Sequence, residues 1–540
     1  MTSSQEREEP QARRGRADEV VPPRGLAPEG RVPHVGAAAR QRLAEIPGPQ
    51  PVPPWGPAAA QVEAAGAPQA RGAGPGAGRA PGPADPGQPT GPAGPVQGQV
   101  QGQGQGQGQG PAWDRASAHR QVARVPQPPS PAFDHADPGA YYRALREAYG
   151  PVAPVLLDGG VPAWLVLGYH EVQFVAGNPE LFGRDPRRWH AWDRVPTGWP
   201  LLPHVAHTPS VRFTEGEEHV RRAGAVADVL GEVDPYELRQ RAERAADAAV
   251  DAFAGAGRAE LVAQYAEQVP LHVMAGLFGL HPDETAALER DLAGQYGYGT
   301  AAAEPPHPAC PAHPGGTAPG PAASAARLRA MLEAVLARAR RSPAPGADIP
   351  SRLLAHPAGL TDEEVVQDLL TIMAAGRRPT ADWIGNTLRL LLTDERFALT
   401  LSGGRRSIAQ ALAEVLWSDP PVQNVIGRWA TRDTRLGGRY VRRGDCLVLG
   451  LAAANADPRV RPALPGGAVG NHAHLSFSHG AHRCPAPAPQ LAEVVATTAL
   501  EILLDRIPDL VPALAADELP WRPSLWQRGP AALPVTFTPL

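Results

Sequence analysis

Near its C-terminal end the chain reads HLSFSHGAHRCPAPAPQLAEVV, residues 474–495. Three histidines and one cysteine, Cys484, crowd together ahead of three prolines and a run with helical spacing. The whole chain has only three cysteines, so this placement asks for a chemical reason. A thiol in such surroundings is a metal ligand, a nucleophile or a small buried hydrophobe. Cys446, inside DCLVLGLA, reads as the last of these, a thiol buried in a strand. His307, Cys310 and His313 have a spacing that suits zinc. They stand in a Pro-rich loop with no fourth ligand in view and read as a solvated insertion.

The octet FSHGAHRC (477–484) resembles the haem-binding loop of the cytochrome P-450 family, F-x-x-G-x-H-x-C. Two more segments fall in the family's order. AAGRRPT (374–380) lies where its oxygen-binding A-G-x-[DE]-T segment falls, and LAEVLW (412–417) where its E-x-x-R helix falls. The resemblance spans residues 130–540 and is nearest the actinobacterial branch, in a subgroup with E-x-x-W in place of E-x-x-R. It implies haem b (iron protoporphyrin IX) with Cys484 as the metal ligand. A thiolate on haem iron pushes electron density onto the metal and favours O–O cleavage. The helix that starts just behind the sulfur presents free N–H groups and a partial positive charge, which favour thiolate over thiol. Gly480 would permit the tight turn, and Phe477 would shield the sulfur. His482 resembles the residue that donates to a haem propionate. His219, in GEEHVRR, resembles the family's helix-C histidine, with Arg222 or Arg221 beside it. Arg428, in GRWATRD, resembles the strand arginine that serves as a second propionate partner. Gly376 and Thr380 are the candidate catalytic positions.

Several departures bear on the chemistry. Trp417 stands where an arginine would pair with Glu414. The acid of the oxygen-activating segment falls on Arg378 and the alcohol on Pro379. Thr380 comes one step later, about 100° around a helix. An arginine stays charged and relays no proton. Pro485 and Pro487 remove backbone N–H donors next to the sulfur, which predicts a more electron-rich thiolate and a lower reduction potential. Ala486 replaces the glycine usual two after the cysteine.

These residues need elements to hold them. VAPVLLDGGVPAWLVLG (152–168) reads as two strands around an Asp-Gly-Gly turn. Residues 216–296 and 325–341 carry apolar positions every three or four residues, a helical pattern. Thr361 and Glu364 form a capping box ahead of a long helix that is apolar on most sides. Gly376 and Pro379 interrupt that helix, and a kink is expected at Pro379. The Gly-Gly in DTRLGGRYV predicts a hairpin, and LAEVVATTALEILLDRI (491–507) the helix behind the cysteine. The expectation is a mainly α domain with small β-sheets over residues 126–540, the cytochrome P-450 fold, with residues 1–125 a disordered Pro/Gly/Gln-rich extension.

Net charge is −4 over 540 residues, with no long basic run, which argues against nucleic acid as a partner. No stretch of about 18 uninterrupted apolar residues predicts a membrane span. The sparse, odd cysteines and the lack of an apolar leader suit a reducing cytoplasm. The resemblance implies a monooxygenase that inserts one oxygen atom from O2 into a small organic substrate. Its electrons would come from NAD(P)H through a ferredoxin and ferredoxin reductase. A haem-binding regulatory protein and a peroxide-driven oxidase are the alternative readings, and the subgroup's gene neighbourhoods add a small-GTPase regulatory system as a partner.

Overall fold

A computed structural model describes residues 137–199, 201–296, 321–342, 346–395, 407–460, 471–522 and 524–540. The extension over residues 1–125 and the His307/Cys310/His313 loop lie outside them. Helix α1 (Pro138–Tyr149) starts at Asp137, whose carboxylate accepts the Ala140 N–H. Strands β1 (Val152–Leu157) and β2 (Val161–Val166) pair antiparallel around Asp158-Gly159-Gly160. Both turn glycines have positive φ, 72° and 75°, the region that side-chain-bearing residues avoid. Strand β2 continues in parallel to β8 (Cys446–Gly450). It is followed by β5 (Asn424–Ala430) and β3 (Phe182–Gly183), giving a five-stranded sheet in the order β1-β2-β8-β5-β3. Strands β4 (Arg258–Glu260), β9 (Val511–Pro512) and β10 (Pro534–Thr536) form a second sheet. The expected Gly-Gly hairpin is β6 (Thr434–Leu436) with β7 (Arg439–Val441).

The rest is helical: α2 (Tyr169–Gly177), α3 (Gly216–Gly231), α4 (Pro235–Asp251), α5 (Gln268–Leu277), α6 (Pro282–Tyr296), α7 (Pro321–Arg341), α8 (Ile349–Ala355), α9 (Asp362–Thr393), α10 (Ile408–Ser418) and α11 (Ala488–Arg506). Helix α9 begins at the Thr361/Glu364 capping box. It runs unbroken through Gly376 and Pro379, so the expected interruption does not occur. Packing on both flanks holds it: α9 lies against α5, α7, α10 and α11. The main core joins α4, α5, α9, α10 and α11 through residues such as Leu238, Val269, Ile384, Leu412 and Leu500. No described helix is long and apolar enough to cross a membrane.

Helix α2 has a particular task. Its first N–H, from Tyr169, donates to Asp457 Oδ2 at 3.0 Å, and Arg459 braces the same carboxylate at 2.7 Å. Its last turn presents Ala176 and Gly177 to Gly480 in the cysteine loop. Burial works against the Asp457 charge, but the Arg459 guanidinium and the two backbone N–H groups hold its pKa down at about 2. A folded pKa below the unfolded one contributes stability above the unfolded carboxyl range, and that stability is lost as pH falls through the folded value. Asp457 therefore supplies about 2 kcal/mol at neutral pH that disappears between about pH 4 and pH 2. In acid denaturation, Asp457→Asn should be less stable at pH 7 and show a shallower loss over that interval. Parallel curves for the two proteins would show that Asp457 plays no such part.

Candidate active site

A cavity of 690 Å³ opens between α3, α5, α9 and the loop that leads into α11. Cys484 lies in its wall. The loop is shaped by close contacts. The Cys484 N–H donates to the Phe477 carbonyl at 3.0 Å, and Ala488 N–H to the Pro485 carbonyl at 2.8 Å. Gly480 has φ +74°, and a Cβ there would lie 2.2 Å from the Ala176 carbonyl oxygen, so only glycine fits. Phe477 lines the cavity with its ring edge-on to Trp383, 6.1 Å between centroids. Burial pushes the Cys484 thiol up to about 11. A metal cation bound to the sulfur would favour the thiolate against that burial.

Buried positive charge sits at one end of the cavity. The His219 and His482 rings stack 3.7 Å apart. Each donates to the backbone, His219 Nε2 to Ala481 O (3.1 Å) and His482 Nε2 to Thr214 O (3.0 Å). His482 Nδ1 then accepts from Arg428 Nη1 at 3.3 Å. Burial, with Arg184, Arg428 and His219 nearby, depresses His482 to about 2 and keeps it neutral. Arg428 is 1 % exposed and its Nε is buried without a partner. Burial lowers its pKa to about 10. Arg184 joins the group: its Nε donates to Arg212 O (2.9 Å) and its Nη1 to Gly427 O (2.6 Å). Burial and then Arg428 and Arg212 push its pKa well down. The nearest carboxylate, Glu215, is engaged by the Arg184 and Asp185 N–H groups and by Arg188. No Asp or Glu lines the cavity among the described residues.

The structure removes Arg222 from this group. It is fully buried against α9, with Nε 3.0 Å from Asp368 Oδ2 and Nη2 2.5 Å from Asp368 Oδ1. Arg221 pairs with Glu364 instead. Arg184 was not foreseen. It follows β3, which pairs Gly183 with Trp429, and so comes level with Arg428 on β5. Only that strand pairing brings the two together. Gly376 and Thr380 line the cavity, and Gly376 makes room for Met274, whose Sδ would lie 3.0 Å from a Cβ there. Arg378 is not part of the lining; it pairs with Glu267 at the N-terminal end of α5. Trp417 is buried and donates its indole N–H to the Asn471 carbonyl at 2.7 Å.

A thiol in one wall, buried arginines at one end and apolar side chains elsewhere fit a flat apolar metal macrocycle with two carboxylates. The buried Arg428 Nε, which has no hydrogen-bond partner, is a donor such a carboxylate would take. No protein-family model matches the chain. Nocardicin C N-oxygenase of Nocardia uniformis subsp. tsuyamanensis is 30 % identical over 403 residues, 73 % of this chain and 94 % of that protein. The chain belongs to the cytochrome P450 family. Cytochrome P450 105C1 of a Streptomyces species is 29 % identical over 74 % of this chain and 95 % of that one. Among solved structures, CYP154C4 from Streptomyces sp. ATCC 11861 superposes with a TM-score of 0.65 at 27 % identity, covering 74 % of this chain and 96 % of its own. Relatives of this kind are hydroxylases and oxygenases, and haem is the family's cofactor. The chain is a monooxygenase of that family.

The two arginines should separate by experiment. Arg222→Ala leaves Asp368 buried and unpaired and should cost about 3–5 kcal/mol in denaturant unfolding. The fraction that stays folded should bind haem normally. Arg428→Ala should do the reverse, with little loss of apoprotein stability and a weakened hold on haem in a transfer assay to apomyoglobin. Equal behaviour of the two variants would merge roles that the geometry keeps apart.

Proposed function

We propose that this chain is a haem-thiolate monooxygenase that holds haem b through Cys484 and hydroxylates a small, apolar, neutral or anionic organic substrate. One observation carries the reading: the Cys484 sulfur faces the same cavity as Arg184, His219 and His482, with Arg428 held 3.3 Å behind His482, and no carboxylate lines that cavity among the described residues. Haem, when bound, supplies the redox chemistry that splits dioxygen. The chain's residues do the rest. Cys484 is the metal ligand. Arg428 and Arg184 would take the propionates by charge-assisted hydrogen bonds, beside the stacked pair His219 and His482. Phe477 covers the sulfur and keeps water from it. The wall of α9, with Ala375, Gly376 and Thr380, borders the space above, and Thr380 offers it a hydroxyl. The lining is mostly apolar, so an aliphatic or aromatic substrate is bound by burial. A substrate cation would meet no counter-charge there.

Electrons arrive from NAD(P)H through a ferredoxin and its reductase. Arg483 is exposed beside the cysteine loop, where an acidic ferredoxin would find it. The relatives lend no support to a small-GTPase system.

The reduced carbon monoxide spectrum tests the reading. Purified protein should show the absorption of a thiolate-bound haem, and Cys484→Ser should lose it. A spectrum indifferent to that change would refute the assignment. The prolines after Cys484 leave Ala486 as the sole N–H donor across positions 485–487. Pro485→Ala adds one beside the sulfur and should raise the reduction potential in a redox titration, because hydrogen bonds draw electron density from the thiolate. An unchanged or lower potential would count against that role of the prolines.

A further inference from the structure

Trp417 stands where the resemblance expects an arginine, and the structure gives it a different task. It lies in the last turn of α10 and is 2 % exposed. Its indole meets the His474 ring edge-on, 5.9 Å between centroids and 86° between planes. His474 packs on Phe477 at 5.8 Å, and Phe477 on Trp383 of α9 at 6.1 Å. Trp383 closes the circuit by donating its indole N–H to the Leu412 carbonyl of α10 at 3.0 Å. The path leaves α10 at Trp417, crosses the segment ahead of Cys484 and then α9, and returns to α10 at Leu412.

Hydrogen bonds fasten the same segment to α10. Trp417 Nε1 donates to the Asn471 carbonyl at 2.7 Å, and Ser476 Oγ to the Leu416 carbonyl at 2.6 Å. Leu475 N–H donates to Asn455 Oδ1 at 2.7 Å, while Asn455 Nδ2 donates to the same Leu416 carbonyl at 2.9 Å. All of these groups are uncharged. His474 is neutral as well: burial lowers its pKa to about 4, and His472 adds to the fall. Its Nδ1 is buried with no hydrogen-bond partner, so that nitrogen does not hold the ring in place. The neighbouring rings do.

Phe477 is where this network reaches the cysteine. Its ring sits between His474 and Trp383, and its carbonyl accepts the Cys484 N–H at 3.0 Å. A shift of the ring would move the backbone that fixes Cys484. The next residue, Ser478, has φ +64° and is the one non-glycine residue with positive φ among the described residues. Side-chain-bearing residues avoid that region, and a turn that enters it persists only when its surroundings hold it. The rings on either side of Phe477 supply that hold.

We propose that Trp417 is a positioning residue for Cys484: through His474 it fixes Phe477, and an uncharged chain of rings keeps the cysteine loop in its ligating form. The consequence for the metal ligand rests on the haem-thiolate reading; the hold on the loop does not. Trp417→Arg would install the expected residue, yet it would remove the ring contact and bury a cation, which desolvation opposes. Trp417→Phe would keep a ring against His474 and lose only the bond to Asn471.

Two measurements on the full chain test this, and the first needs no haem. In hydrogen exchange, Trp417→Leu should speed exchange of the amides over 474–484 about fivefold and leave β1 and β2 unchanged. In the haem-loaded protein, Trp417→Leu should shift the iron–sulfur stretch in resonance Raman spectra. It should also pass haem to apomyoglobin about tenfold faster. Trp417→Phe should recover most of both losses, and Trp417→Arg neither. Trp199→Leu, at an indole 3 % exposed in another part of the core, should leave the iron–sulfur stretch where it was. His474→Ala should repeat the effects of Trp417→Leu, and the two changes together should exceed either alone by little. Wild-type exchange in Trp417→Leu, a Trp417→Arg protein equal to wild type, or effects of Trp417 and His474 that add in full would each overturn the proposal. If Trp417→Leu does not fold, His474→Ala decides, and wild-type exchange there overturns it too. A wild type that binds no haem through Cys484 defeats the haem-thiolate reading instead, while the exchange rates still decide whether Trp417 holds the loop.

Discussion

Two buried arginines, Arg184 and Arg428, with Glu215 as their one nearby carboxylate among the described residues, are the constraint on which this end of the cavity depends. Arg184, Arg428 and the stacked pair His219 and His482 converge from four separate segments, and hydrogen bonds to backbone carbonyls and from Arg428 to His482 hold them there. Such a group is expensive to bury alone. A ligand with two carboxylates relieves it, and a neutral or cationic one does not.

The cysteine loop has the complementary constraint, which is steric. Gly480 sits against the backbone of α2, and α2 is pinned at its other end by Asp457. The position of the sulfur therefore depends on a helix far off in sequence and on a carboxylate that follows β8. Likewise Asp368 matters to the site indirectly. It locks α3 to α9 through Arg222, so the helix bearing His219 keeps its distance from the helix bearing Thr380.

Helix α9 shows charge reversed relative to the family pattern. An arginine occupies the acid's position, and carboxylates reach it from elsewhere: Glu267 from the start of α5, with Asp382 one turn further along α9 and tied in through Arg522. The proline that replaces the alcohol does not break the helix, because its neighbours on both sides are already packed.

Local signals were enough for much of this protein. The Asp-Gly-Gly and Gly-Gly turns, the Thr361 capping box, burial of Cys446 and the mainly helical fold were all legible, since each depends on residues close in sequence or on a repeating pattern. The F-x-x-G-x-H-x-C spacing likewise singled out Cys484, Gly480 and His482, because one loop contains them all. What the sequence could not decide was direction and company. Arg221, Arg222 and Arg184 are equal as residue types, and only the packing of α3 on α9 and the pairing of β3 with β5 send two to carboxylates and one to the cavity. The fate of Pro379, and the meeting of Glu267 with Asp382 through Arg522, were decided the same way. Long-range contacts fix where a side chain points, and no local pattern encodes them.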